Sequence, residues 1–233
     1  MFSVPTNPKS KVTIDGEVII KLEISRIPPE FEETWPGQFK IFSWMEFVTA
    51  IPQAISVITT RKENGLSNAC PQAWTTYTGD DAGYHVIFSL MNTTHTYKNI
   101  LREKEFAVNF PGTDEFRKCM DTITNNDMDT DEITTAGLTI ETAKLVNAPR
   151  IEECFLSLEC KLGWHKPLHE GSVWHVFAGE VVHVAVDAEY TRANSNNRYG
   201  DKGYIYNIHT PTDPATGEQE PSKVGKIEPM YDM

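Results

Sequence analysis

The sequence predicts a mainly β domain, an antiparallel barrel or sandwich with short helices on its outside. At least six segments have the length and residue types of strands, separated by turn residues. The helix-like segments between them are short. A parallel doubly wound sheet needs long helices alternating with strands, and these are missing.

The elements follow in order. Residues 1–10 read as a loose arm, and KVTIDGEVIIKLEI over 11–24 as a hairpin around Asp15-Gly16. Pro28-Pro29 ends it, 30–40 is irregular, and 41–49 is a short helix before Pro52. Ile55 to Thr60 is a strand, and Asn64-Gly65 is a turn signal. Residues 66–77 are extended, but Pro71 removes a ladder donor, so this strand lies at an edge or carries a bulge. Tyr84 to Met91 is apolar on both parities, as in a central strand. Thr93 or Thr94 caps a helix running to about Lys104, and Glu105 to Phe110 is the next strand.

Thr113 to Thr122 reads as an amphipathic helix with acids in its first turn. Residues 123–138 read as a polar, acidic connection. In Glu153 to Leu162, Cys154, Leu156, Leu158, Cys160 and Leu162 face inward, and Glu153, Glu159 and Lys161 face outward. Val173 to Val186 is a long strand with Gly179 as its expected bulge. Beyond about Tyr190 the chain is rich in Asn, Gly, Pro and Tyr and reads as a wrapping tail. The expected division is an N-terminal arm over 1–40, a core domain over 41–190 and an extension over 191–233. The extension packs on the barrel or on a partner subunit.

Composition narrows the function classes. The 233 residues are 39% hydrophobic and 23% charged, ordinary for a globular protein. A net charge of −12 repels phosphate backbones, so nucleic-acid partners are not expected. Residues 112–160 hold 11 acids and 4 bases, which reads as a solvated flank around the 125–132 loop. No apolar run approaches the roughly 20 residues that span a bilayer, so no membrane partner is expected. The opening MFSVPTNPKS lacks a signal-peptide core, and a cytoplasmic location is expected. The four cysteines form no CxxC pair, which removes the usual zinc spacing. Cys154 and Cys160 read as buried structural thiols.

Two segments could carry chemistry. In Asn68-Ala69-Cys70-Pro71-Gln72-Ala73-Trp74, a proline-interrupted strand leaves backbone donors and acceptors free, Asn68 adds an amide, and Trp74 adds a large apolar face. Read alone, it is a bulged strand with a core tryptophan. In Thr93-Thr94-His95-Thr96-Tyr97-Lys98-Asn99, hydroxyls and free amides at a helix start make an anion cradle. Read alone, it is simple capping. The two flank the strand 84–91 and converge near Ser89 and Leu90.

Other signals fail. Asp127 to Asp131 has Glu132 where a calcium loop needs glycine, and Leu138 at its twelfth position. His165 and His169 are separated by Pro167, so no helix face brings them together, and they read as surface histidines. His175 and His183 read as structural or interfacial. There is no GxGxxG, GxxxxGK[ST] or GxSxG. No metal ligand and no catalytic side chain is assigned.

The ordered set of motifs resembles the flavin reductase-like family of FMN-binding split barrels. The carriers are Thr59-Thr60, Gly65, Asn68/Pro71/Ala73/Trp74, Phe88-Ser89-Leu90, Thr96/Asn99/Ile100 and Phe106/Val108/Asn109. Ala148 to Ile151, Leu158 to Cys160 and Gly179 to Val182 continue it, so the resemblance spans about 45–190. It implies an antiparallel Greek-key split β-barrel with short peripheral helices, non-covalently bound FMN and a homodimer. It implies an oxidoreductase that takes electrons from NADH, NADPH or a protein donor and passes them to a small-molecule or protein partner. The alternatives are a flavoredoxin-like carrier, a non-catalytic FMN-binding protein, or a relative using the barrel for pyridoxal phosphate or haem.

By resemblance, Asn68, Ala69, Ala73 and Trp74 contact the flavin ring or ribityl chain. Ser89, Thr94, Thr96 and Asn99 hold the ribityl chain and phosphate, with Thr60 and Leu90 also in the cofactor set. Many members carry Lys or Arg near Thr94. Here His95, Lys98, Arg102 or a partner subunit would meet the phosphate charge. Tyr190, His175, Tyr204 and Tyr206 are candidates to line the open flavin face.

Overall fold

The computed structural model describes residues 12–14, 17–19, 21–191 and 198–230. An antiparallel hairpin of β1 (Val12–Ile14) and β2 (Glu17–Ile19) opens it, and its expected turn at Asp15-Gly16 lies outside the described residues. Two short helices follow, α1 (Gln38–Ile41) and α2 (Trp44–Thr49). The second is the helix expected over 41–49, and the first lies mostly in the 30–40 stretch expected to be irregular.

After β3 (Gln53–Ala54) come β4 (Ser56–Arg61), β5 (Ser67–Gln72), β6 (Thr75–Asp80) and β7 (Gly83–Met91). Helix α3 (His95–Glu103) is capped by Thr94 and closed by Lys104 at φ 61°, and β8 (Glu105–Pro111) follows. Helix α4 (Phe116–Asp121) is shorter than the helix expected over 113–122, because Thr113 turns away to donate to the Asp201 carbonyl. Then come α5 (Glu132–Thr135), β9 (Ile140–Glu141), β10 (Arg150–Ile151), β11 (Cys154–Pro167) and β12 (Trp174–Val186). β13 (Ile205–Asn207) and β14 (Val224–Lys226) finish the chain, and the tail adds a small sheet in the order β14-β13-β3.

Seven strands form one antiparallel sheet in the order β5-β4-β8-β11-β12-β7-β6. Its two outer strands, β5 and β6, are joined by only Ala73 and Trp74. Inward side chains of all seven strands meet in one apolar cluster, so the sheet is curled into a barrel. Ile58, Val86, Ile100, Phe106, Val108, Cys160 and Phe177 are its fully buried members, with Phe88 nearly so. Excluding these side chains from water is the main driving force for closure, at about 1.5–3 kcal/mol per buried large apolar side chain. The expected antiparallel split barrel with short peripheral helices is the fold observed.

Three expectations change. The 123–138 connection is not simply a solvated flank. Its α5 docks on the barrel, Ile133 is fully buried, and Glu132 is buried against Lys62, Nζ to Oε1 2.8 Å. Glu159 does not face water. The 141–150 segment covers it, and its carboxylate accepts the amides of Lys144 (2.9 Å) and Leu145 (2.6 Å) beside Arg150 (3.2 Å). Finally, the register between β11 and β12 slips around Gly163 and Val182, while Gly179 stays paired. Gly179 is small for another reason: a Cβ there would lie 2.3 Å from the Phe106 ring.

Candidate functional site

The crossing from β5 to β6 builds one wall. Pro71 lies in β5, an edge strand bonded only to β4, as its missing N–H requires. One side chain then stabilises the bend. Gln72 Oε1 accepts the amides of Ala73 and Trp74, each at 3.0 Å, and Gln72 Nε2 donates to the Ser89 carbonyl at 2.7 Å. The bend is thereby tied to β7.

Trp74 projects toward the start of β12. Its ring centroid lies 5.0 Å from that of Trp174 and 5.8 Å from that of Phe42. Trp174 Nε1 donates to the Ile41 carbonyl at 2.8 Å, so the C-terminal end of α1 is fastened over this corner. The three rings, with Cys70, Leu90, Met91, Thr94 and Glu46, line a cavity of about 260 Å³. A neighbouring cavity of about 490 Å³ shares Pro71, Gln72, Ala73 and Asn207 and adds Lys223.

The N-terminus of α3 opens beside the first cavity. Thr94 accepts from the Tyr97 amide at 3.2 Å and donates to the Met91 carbonyl at 2.9 Å. The amides of His95 and Thr96 find no acceptor among the described residues. Free amides at the positive end of a helix dipole attract an anion.

Two buried rungs fasten α3 to the barrel. Asn68 Nδ2 donates to Thr96 Oγ1 at 2.9 Å, and Asn99 Nδ2 donates to Thr60 Oγ1 at 3.0 Å. All four side chains are buried. Arg102 donates to Asn99 Oδ1, to the Arg61 carbonyl and to Glu103, so its guanidinium is committed within the fold.

The electrostatics are local. Glu46 Oε1 lies 2.9 Å from His209 Nδ1, while Oε2 is buried without a partner among the described residues. Burial pushes the Glu46 carboxyl up, and His209 partly opposes this. Burial pushes the Cys70 thiol up to about 11, with a smaller opposing contribution from Thr96. Behind Tyr97, His175 Nδ1 lies 3.3 Å from the Tyr97 hydroxyl, and the rings of His165 and His175 are 5.9 Å apart. Burial, His175 and Lys104 together hold His165 below its usual range. His165 is therefore half-buried in a ring cluster rather than a surface histidine.

Of the ten expected residues, Ala73, Trp74, Leu90 and Thr94 line the cavity. Ser89 meets it through its carbonyl bond to Gln72. Thr60, Asn68, Thr96 and Asn99 form the rungs beneath it. The buried Ala69 gives its amide to Glu132 Oε2 at 2.7 Å. Of the open-face candidates, Tyr204 and Tyr206 line a separate pocket, and Tyr190 stacks on Phe155 at 4.5 Å. Phe42, Glu46, Gln72 and Trp174 were missed. Gln72 stood within the motif, but nothing local marked the other three, which arrive through tertiary packing.

The flavin reductase like domain matches residues 48–203, most of the chain. An uncharacterized protein of Aquifex aeolicus (strain VF5) is 32% identical over 154 residues, which cover 64% of this chain and 76% of the relative. The fold is similar to that of nitrilotriacetate monooxygenase component B from Bacillus cereus, with a TM-score of 0.69 and 17% identity, covering 91% of this chain and 100% of that one. Flavoredoxin of Desulfovibrio vulgaris (Miyazaki F) has a TM-score of 0.61 and 17% identity, covering 87% of this chain and 97% of that one. No helix among the described residues is long and apolar enough to cross a membrane. This chain belongs to the flavin reductase-like domain family, which supports a flavin-related redox function.

Proposed function

We propose that this chain is an oxidoreductase that binds FMN non-covalently in the Trp74–Trp174 cavity and draws electrons from NADH or NADPH. The observation that carries the reading is one junction. An apolar, ring-walled cavity meets the free amides of α3 at Thr94, which is both a wall residue and the helix cap. A flavin mononucleotide has the same two-part chemistry, a planar apolar ring and a dianionic phosphate.

The residues fit that ligand. Trp74, Trp174, Phe42 and Leu90 supply the ring surface. Glu46 Oε2 is a buried acceptor that lacks a partner among the described residues. The His95 and Thr96 amides, reinforced by the helix dipole, suit the phosphate. Thr60, Asn68, Thr96 and Asn99 act as positioning residues that set the angle of α3. Cys70 remains a thiol at neutral pH and acts as wall rather than nucleophile.

Bound FMN supplies reversible electron acceptance at its ring. The protein's part is to hold that ring against the tryptophans, limit water at one face and neutralise the phosphate. The working form is a cytoplasmic homodimer. The exposed Trp164, Leu168 and Val173, clustered near the turn between β11 and β12, support a partner subunit at this end of the barrel.

The test is the visible spectrum of the protein after addition of FMN and desalting, followed by anaerobic NADH or NADPH. Retained flavin that bleaches with either nucleotide is expected. Colourless protein refutes the cofactor, and retained flavin bleached by neither nucleotide refutes the donor.

A further inference from the structure

One seam beside the Trp74–Trp174 cavity is closed by a titratable pair. The cavity takes Glu46 from α2 and Asn207 from the end of β13, so the C-terminal extension meets the N-terminal helices in its wall. Two contacts join these elements. Glu46 Oε1 lies 2.9 Å from His209 Nδ1, and the Thr212 amide donates to the Phe47 carbonyl at 2.9 Å. Both side chains of the pair are largely withdrawn from water, His209 at 6% and Glu46 at 19% exposure.

His209 is held there at a backbone cost. Its φ is 57°, in the left-handed region that residues other than glycine seldom adopt. Asn207 Oδ1 accepts the His209 amide at 2.9 Å, and the His209 carbonyl accepts the Lys223 amide at 3.4 Å. Bonds on both sides therefore fix the turn. A strained residue so fixed, with its ring on a carboxylate of a cavity wall, points to a role for that ring.

Charge decides what the pair does. A bare carboxylate in this wall would be poorly solvated and would repel a dianionic ligand. With one proton between them, Glu46 and His209 are together neutral, whichever of the two carries it. Among the described residues no other charged group offsets Glu46. Cys70 lines the same cavity, but its thiol is pushed up to about 11 by burial and stays neutral. Lys223 lines the neighbouring cavity, with its ammonium on Glu220 Oε2 at 2.5 Å. Burial holds the Glu46 carboxyl above its usual range, and His209 opposes this. The proton is thus kept at a pH where an exposed carboxylate has lost it.

We propose that His209 is a positioning residue for the flavin cavity. It neutralises Glu46 and latches the C-terminal extension to α2, so flavin affinity falls when the pair gives up its shared proton. The inference rests on the reading that FMN occupies the Trp74–Trp174 cavity.

The test has two readouts on the full chain. In the first, FMN is titrated by fluorescence from pH 6 to pH 9 into the wild type, Glu46→Gln and His209→Asn. The FMN phosphate titrates alike with all three, so differences between them report on the pair. Gln keeps the shape of Glu46 without its charge, and Asn tolerates the left-handed φ. Between pH 6 and pH 9 the wild-type dissociation constant is expected to rise at least 5-fold relative to that of Glu46→Gln. His209→Asn should show this rise at lower pH, because its lone carboxylate leaves a net charge as soon as it ionises. The second readout needs no flavin. Hydrogen exchange of the Thr212 amide is expected to be at least 10-fold faster in His209→Asn than in the wild type. Parallel profiles for the wild type and Glu46→Gln overturn the proposal. So does a His209→Asn profile identical to the wild type, or unchanged Thr212 exchange. If the wild type binds no FMN at any pH, the cofactor reading fails instead, and Thr212 exchange alone upholds or overturns the latch.

Discussion

Lys62 and Glu132 form a sealed ion pair, Nζ to Oε1 2.8 Å, with both side chains shut off from solvent. Lys62 also donates to the carbonyls of Asp127 (2.5 Å) and Thr130 (2.7 Å), while Glu132 Oε2 takes the Ala69 amide. The pair therefore locks the acidic connection and α5 onto the hairpin that carries Asn68 to Trp74. Removing one partner strands a buried charge. Lys62→Met is expected to cost about 3–5 kcal/mol in urea unfolding. A cost under about 1 kcal/mol would show that the connection is not docked.

Asn109 is a hub inside the barrel wall. Its Nδ2 donates to the Val57 carbonyl (3.1 Å) and Thr59 Oγ1 (3.0 Å), and its Oδ1 accepts from the Ile151 amide (3.2 Å) and the Ser157 hydroxyl (2.8 Å). Asn109→Leu takes the acceptor from the buried Ile151 amide and Ser157 hydroxyl, while Thr59 Oγ1 keeps its bond to the Pro149 carbonyl. At about 1–3 kcal/mol for each such group, a loss above about 3 kcal/mol is expected. A near-neutral variant would mean the network is not formed.

Gly179 tests the packing of Phe106. Gly179→Ala places a methyl group against that fully buried ring and should cost about 1–3 kcal/mol. Phe106→Leu in the same chain should recover part of the loss. If the double variant is simply additive in cost, the contact is not the cause.

Cys70 gives a pH prediction. Its folded-state value of about 11 exceeds the usual thiol value of 9.0. The unfolded thiol ionises first, so the stability linked to Cys70 is fully present below about pH 9 and falls as pH rises toward 11. The thiolate is the nucleophile, so iodoacetamide at pH 8 should label Cys70 on the order of 10²-fold more slowly than a free thiol. Labelling at the free-thiol rate would contradict the burial of this wall.

Much of the barrel is legible because its signals are local. Asn64-Gly65 makes the turn, Pro71 marks an edge strand, and Thr94 caps α3. The short helices and the inward apolar parity of β11 are equally readable, whereas β7, read as apolar on both faces like a central strand, alternates and lies next to the edge strand β6. What was not legible depends on partners distant in sequence. Glu132 and Glu159 look like outward carboxylates until Lys62 and Arg150 are brought beside them. Trp174 and Phe42 carry no motif and gain meaning only where they meet Trp74. Asn68, Thr96, Asn99 and Thr60 were recognised as a set, but only the fold shows that they bond to one another.

The central claim is that flavin lies against Trp74. The most direct test is a fluorescence titration of FMN with the wild type, Trp74→Ala and Trp164→Ala. Trp164 is 46% exposed and borders neither the Trp74–Trp174 cavity nor its neighbour. Trp74→Ala is expected to weaken binding at least 10-fold, about 1.4 kcal/mol, and Trp164→Ala less than 2-fold. Equal, small effects from both variants would contradict the placement of the flavin ring.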